Sequence, residues 1–189
     1  MSSDRPGELS SPSGRFAEFD LPIVEVASPW FRCHRRGRGP VHFGRAGTGR
    51  FDDPSKKFGV LYLGVSARAA FVEVLGQELG LASEDLRARV MSTLVAAAPA
   101  RLVDLTGAHL PRLGLDARVF AASHAAAQRW SQAFHVHPSQ PDGLLYRCRH
   151  DPSELAVALF DRREWAFDAS ELPEATLAAL AGHYGLAVE

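Results

Sequence analysis

The sequence predicts an α+β fold: a single domain with a mixed, largely antiparallel central sheet flanked by helices. Three observations lead there. A chain of 189 residues with 46% hydrophobic content is the size of one domain with a real core. Short apolar or aromatic runs of strand length stand between stretches with helical spacing. The two kinds of element are interleaved without a repeated strand–helix–strand period, which disfavours a doubly wound sheet. No internal repeat, Walker-type glycine pattern or dinucleotide-fold glycine pattern is present.

Along the chain, residues 1–15 are polar and rich in turn formers and are expected to form a flexible tail with nothing to bury, ahead of a domain spanning 16–189. Residues 30–34 and 41–43 read as two strand pieces around a basic, glycine-rich turn. Residues 44–58 are dense in glycine, proline and charge and are expected to form a long surface loop, a place where function concentrates. Residues 60–65 form an apolar run that ends at Ser66, a good helix N-cap. Beyond it Ala70, Phe71, Val74 and Leu75 fall on one helical stripe, with Glu73 off that stripe. Glu78 falls inside the stripe, which implies either a helix loosening near Gly76 or a partner for the carboxylate.

Residues 81–98 read as helical, 101–106 as a strand closed by Gly107, and 119–134 as a second long helix. Strands are expected at 143–150, at 155–160 and, more briefly, at 165–167, before a closing helix over 172–184.

Composition excludes several function classes. A net charge of −1 supplies no overall field for a polyanion, although Arg35, Arg36, Arg38, Arg45 and Arg50 crowd one segment, so direct nucleic-acid binding is not expected. Cys33 and Cys148 make neither a disulfide framework nor a zinc site, and His135 and His137 are the nearest approach to a paired ligand spacing. A reduced, metal-free cytoplasmic protein is the expectation. The N-terminus lacks the charged start and apolar run of a signal peptide, and no run of eighteen apolar residues occurs, so neither secretion nor membrane insertion is expected.

Several side chains could carry chemistry. Arg32 stands between Phe31 and Cys33 in a strand-like run, where a guanidinium needs a carboxylate or phosphate partner. Arg50 follows Gly49 and precedes Asp52 and Asp53, which could pair with it; the alternative is an anionic ligand held over the loop. Tyr62 lies inside an apolar strand, either as core or as a flat face for a ring. Glu73 is either solvated or turned toward a cleft that it shares with Tyr62, if the helix folds back on its strand. In the run 142–152, alternation sends Tyr146, Cys148 and His150 to one face and Arg147 and Arg149 to the other. Cys148 reads as a small buried residue rather than a reactive thiol.

These segments together resemble the RES domain family, named for an arginine, a glutamate and a serine, which supplies the toxins of bacterial toxin–antitoxin pairs. The resemblance runs from Trp30 to Arg162. Its most specific parts are Gly49, Arg50, Phe51 and Asp52; Leu61, Tyr62 and Leu63 with Glu73; and the run 142–149. It implies a fold similar to the ADP-ribosyltransferase toxins and cleavage of the bond between nicotinamide and ribose in NAD, with NAD as substrate and no cofactor. By that comparison Glu73, Arg32 and Tyr62 are catalytic. The glutamate would stabilise the developing ribose cation and the tyrosine would stack on the nicotinamide or its ribose. Arg32 and Arg50 would hold the phosphates, while Tyr146 and Cys148 would join Arg50 in binding substrate. Nicotinamide is cationic in the substrate, so its departure needs no general acid, and one carboxylate can suffice.

Two departures stand out. Cys148 occupies the position of the family serine, and a thiol donates weaker hydrogen bonds than a hydroxyl. Phe51 and Asp52 follow Arg50 where many relatives have Trp and Asn. The resemblance further implies silencing by an antitoxin of the Xre type, with homodimerisation inside the toxin–antitoxin complex as one arrangement. Water or inorganic phosphate is the expected acceptor. Two alternatives stay open: transfer of ADP-ribose to a macromolecule, and a catalytically degenerate domain that binds a nucleotide or partner without turnover.

Overall fold

The computed structural model describes residues 9–76, 80–121 and 123–188; Glu78 lies outside them. In chain order the elements are β1 (Ile23–Val26), β2 (Trp30–Arg35), β3 (Val60–Gly64), α1 (Ala67–Leu75), β4 (Gly80–Leu81), α2 (Ser83–Arg87), β5 (Arg89–Ala96), β6 (Ala100–Asp104), α3 (Arg118–Ala121), α4 (His124–Val136), β7 (Gly143–Arg147), β8 (Leu155–Phe160), β9 (Phe167–Glu171), α5 (Ala175–His183) and β10 (Ala187–Val188). Eight strands make one sheet in the order β1-β6-β7-β8-β3-β2-β5-β9, while β4 and β10 form a separate two-stranded parallel ribbon. Within the large sheet β6 and β7 run parallel and the other pairs antiparallel, so the architecture is the α+β class the sequence predicts.

Alternation along the central strands gives the sheet two buried faces. Val60, Leu144, Tyr146, Ala158 and Phe160 join Trp130 and Phe134 of α4 in one core. Leu61, Leu63, Leu94, Leu102, Leu145, Val157 and Leu159 form a second core around Trp30 on the opposite face. Burial on both faces explains why these strands read as continuous apolar runs.

The structure corrects several expectations. The helix expected over 81–98 is present only as α2; from Arg89 the chain is β5, the partner of β2 over six register pairs. β5 shows no clean period of two because Ser92 is buried and Val95 exposed, while Val90, Thr93 and Val95 are β-branched and favour the pleated form. The long helix expected over 119–134 is broken into α3 and α4. Residues 41–43 form no strand and are followed by a single bridge between Gly44 and Val60. The strand expected at 165–167 starts at Phe167 and continues to Glu171 as the edge strand β9. β1, which the sequence reading passed over, pairs with β6 at the other edge.

Residues 9–15 also depart from a tail with nothing to bury. Leu9 is 2% exposed, and the Ser10 carbonyl accepts the Trp130 indole N–H at 2.7 Å.

Residues 44–58 form a loop, as expected, but its centre is sunk into the protein: Phe51, Asp52 and Asp53 are all buried. Helix α4 holds it there. Gln128 donates to the carbonyls of Gly47 and Gly49, both at 2.9 Å, and Ser131 to that of Phe51 at 2.6 Å. Gln132 donates to Asp53 Oδ1 at 2.7 Å, and the Ser55 and Lys57 N–H groups complete the carboxylate's shell. Because the loop's backbone groups are satisfied from α4, an irregular segment can lie inside the core.

Two outcomes follow for stability. Phe51→Ala should cost about 3–5 kcal/mol, since the ring is fully buried, and urea denaturation measures it; a loss below about 1 kcal/mol would contradict this packing. Burial alone would raise the Asp53 pKa, but the N–H groups of Ser55, Lys57 and Phe58 and the Gln132 amide outweigh it and hold the carboxyl below its ordinary value. A lowered folded-state pKa adds stability that is present above the unfolded value, about 3.9, and is lost as pH falls through the folded one. Asp53→Asn should therefore lower stability at pH 7 and flatten its decline below about pH 4, as read from melting temperature against pH.

Candidate active site

The site forms where the sheet splits. β2 and β3 share the register pair Phe31 and Gly64, and their hydrogen-bonded ladder extends no further. α1 begins immediately after β3, capped by Ser66 Oγ, which accepts the Ala69 N–H at 3.0 Å. The same hydroxyl donates to Glu154, whose other oxygen pairs with Arg68 at 2.7 Å, so the start of the helix is tied to the start of β8. Gly64 makes this approach sterically feasible: a Cβ there would stand 2.3 Å from the Ala70 nitrogen.

Folding back in this way carries Glu73 to the end of β7. Its carboxylate accepts the Tyr146 hydroxyl at 3.2 Å and the Arg149 N–H at 3.1 Å, and its charge acts on the neighbouring Cys148 thiol. Glu73 remains solvent-exposed, so a ligand can reach the carboxylate that these donors orient. Burial, then the neighbouring Glu73, pushes the Tyr146 phenol well above its ordinary pKa, and burial followed by Asp52 does the same for Tyr62. Both phenols are neutral donors. Burial, then Glu73, also raises the Cys148 thiol far above its usual range, so it is protonated and not a nucleophile.

Tyr62 sits with its hydroxyl fixed on both sides: it accepts the Phe51 N–H at 2.8 Å and donates to Asp52 Oδ1 at 2.9 Å. Arg50 faces the same group of residues. Burial, then Arg149, lowers its pKa, while Tyr146, Glu73 and Tyr62 oppose the shift. Its guanidinium remains cationic and also reaches the Val119 carbonyl at 3.5 Å.

A narrow cleft of about 30 Å³ is lined by Phe31, Arg32, Tyr62, Gly64, Glu73 and Tyr146, among others, and Arg50 and Cys148 adjoin this group without lining the cleft. The structure thus brings Arg50, Tyr62, Glu73, Tyr146 and Cys148 together. Arg32 stands at their border. Alternation along β2 places Arg32 with Trp30 and His34, away from Cys33, and its Nη1 donates to the Pro40 carbonyl. Burial alone lowers its pKa, with no carboxylate contributing.

Asp52, read from the sequence as a candidate partner of Arg50, instead accepts from the Gly49 N–H and the Tyr62 hydroxyl, and one further participant was not legible beforehand. Phe120, whose ring stacks on Tyr146 at 6.3 Å and 21°, gave no signal. A larger cavity of about 210 Å³, floored by Met91, Leu172 and Leu177 beneath the Arg36–Glu174 pair, lies elsewhere and contains none of these groups. Convergence of titratable side chains, rather than size, marks the functional cleft.

A fixed carboxylate beside a guanidinium, between aromatic walls, is suited to a ligand that develops positive charge next to a bound anion. The RES domain family matches residues 29–180. A protein of Sinorhizobium fredii (strain NBRC 101917 / NGR234) named "Probable toxin y4kH" is 45% identical over 42 residues, which cover 22% of this chain and 32% of that protein. The chain therefore spans about a third of the length of the curated relative it matches. A chain in the crystal structure of the M. tuberculosis MbcT–MbcA toxin–antitoxin complex is similar in fold, with a TM-score of 0.64 at 18% identity, covering 85% of this chain and 92% of that one.

The site also makes a prediction about its thiols. Burial pushes Cys33 up to about 11, and Cys148 is buried and protonated. Neither should react with a disulfide reagent in the native protein at pH 8, and both should react in denaturant; rapid native labelling of Cys148 would show that it is not the buried, protonated thiol described here.

Proposed function

The chain belongs to the RES domain family, and from that membership and the geometry of the cleft we propose that it is the toxin of a toxin–antitoxin pair, acting by cleavage of NAD between nicotinamide and ribose. The observation that carries this reading is the Glu73 carboxylate, oriented by Tyr146 and the Arg149 backbone, in the same electrostatic cluster as the Arg50 guanidinium.

In the proposed reaction the bond from the ribose anomeric carbon to the pyridinium nitrogen breaks, and both electrons go to that nitrogen. Nicotinamide leaves neutral, so no acid is needed. The charge appears on the ribose, where Glu73 stabilises it electrostatically. An oxygen of water or inorganic phosphate then bonds to the anomeric carbon, and for water a proton is lost to solvent. Arg50 holds the diphosphate, two of whose oxygens its planar fork can meet at once. The ring of Tyr62 offers a flat wall to the nicotinamide end. Arg32 lines the cleft and donates to the Pro40 carbonyl.

Glu73 keeps two hydrogen-bond donors, the Tyr146 hydroxyl and the Arg149 N–H, whichever residue stands at 148, which favours a working site over a degenerate one. The toxin role draws on the name of the Sinorhizobium relative and on the toxin–antitoxin complex of similar fold, and it implies a separate antitoxin that occludes this cleft.

The test is nicotinamide release by purified protein with and without phosphate, alongside Glu73→Gln. Turnover should fall at least about a hundredfold in the variant. A folded wild-type protein that leaves NAD intact, or a Glu73→Gln variant with the wild-type rate, would sink the proposal. NAD labelled in the ADP-ribose part separates release of a small product from transfer to a macromolecule.

A further inference from the structure

We infer that Asp52 is a positioning residue of this site, whose carboxylate fixes the Tyr62 hydroxyl and the backbone on either side of Arg50 as one unit. The inference rests on the reading of the cleft as a dinucleotide site and extends it to a residue that touches no substrate.

The geometry is a closed ring of bonds around residue 50. Asp52 Oδ2 accepts the Gly49 N–H at 2.8 Å, and Oδ1 accepts the Tyr62 hydroxyl at 2.9 Å. That hydroxyl in turn accepts the Phe51 N–H at 2.8 Å, and the Asp52 N–H donates to the Gly49 carbonyl at 3.2 Å. The residues before and after Arg50 are thus pinned to the same pair of side chains. Asp52 is 5% exposed, and a Cβ on Gly49 would stand 2.6 Å from both Asp52 Oδ1 and the Tyr62 oxygen, so the ring has no slack.

The chemistry requires a polar side chain at position 52. Both carboxylate oxygens accept, one from a backbone N–H and one from a phenol. An amide of the same shape keeps a contact to each, its oxygen to the backbone N–H and its NH₂ to the phenol oxygen, whereas alanine loses both. Tyr62 contributes its ring to the cleft and Arg50 its charge, and Asp52 couples the two across the loop. Loss of Asp52 should therefore loosen anion binding and ring placement together, while Glu73, held from β7, stays in place.

The experiment compares wild type, Asp52→Ala, Tyr62→Phe and the double variant of the full chain. It measures KM and kcat for NAD, and calorimetric binding of inorganic pyrophosphate as a probe of Arg50, with Arg50→Ala as the control. Asp52→Ala should raise KM and the pyrophosphate Kd by about tenfold, with a smaller change in kcat. It should cost less on the Tyr62→Phe background than in wild type, because the phenol contact is already gone. KM and Kd within twofold of wild type in Asp52→Ala, or costs that multiply independently in the double variant, would overturn the inference. If Asp52→Ala does not fold, Tyr62→Phe removes the same phenol bond, and an unchanged pyrophosphate Kd in that variant overturns it. A wild-type protein that binds pyrophosphate through Arg50 but leaves NAD intact defeats the NAD reading and leaves Asp52 to be judged on Kd. Absence of Arg50-dependent pyrophosphate binding defeats the role given to Asp52.

Discussion

The structure depends on a carboxylate that crosses from a helix to a strand end. Glu73 belongs to α1, yet its bonds run to Tyr146 and to the Arg149 backbone beyond β7. Those donors lie on the other side of β3 and β8 in the sheet order, so the contact is made only if α1 packs directly on β3. The close approach at Gly64 and the Ser66–Glu154–Arg68 cluster bring this about. Removing any of these would change the stability of the helix start; it would also take the carboxylate away from the groups that orient it.

A second constraint acts on the opposite wall. An irregular loop carrying a buried phenylalanine and two buried aspartates would be costly if its backbone were left unsatisfied. Successive polar residues of α4 meet that need: Gln128, Ser131 and Gln132 are spaced so that they present one face to the loop. The loop is thereby as rigid as a strand. A cation on a long, flexible side chain loses part of its binding energy to ordering when its backbone is mobile. Here the backbone flanking Arg50 is already fixed.

The parts of the fold that were legible in the sequence have local causes. The N-cap at Ser66, the apolar stripe of α1 and the runs of β3 and β8 depend on neighbours within a few residues. β5 was not legible because its pairing with β2 joins residues far apart in the chain, and a buried Ser92 with an exposed Val95 breaks the alternation that would betray a strand. Glu73, Tyr62, Arg50, Asp52, Tyr146 and Cys148 could be named from motif chemistry and family resemblance. The bond from Asp52 to Tyr62 and the place of Phe120 could not, since each is a contact made across the fold. Arg32 illustrates the converse: its residue type and segment pointed to the site, while strand parity decides where its side chain goes.

The exchange of serine for cysteine at position 148 can be weighed physically. A thiolate next to Glu73 would set two negative charges against each other, and burial of the sulfur together with that neighbour keeps the proton on it. What remains is a small neutral group. The donors that hold the carboxylate, a phenol kept neutral by burial and a backbone N–H, do not depend on the residue at 148 for their chemistry. Orientation of Glu73 therefore does not rest on position 148, which makes that position permissive to a thiol.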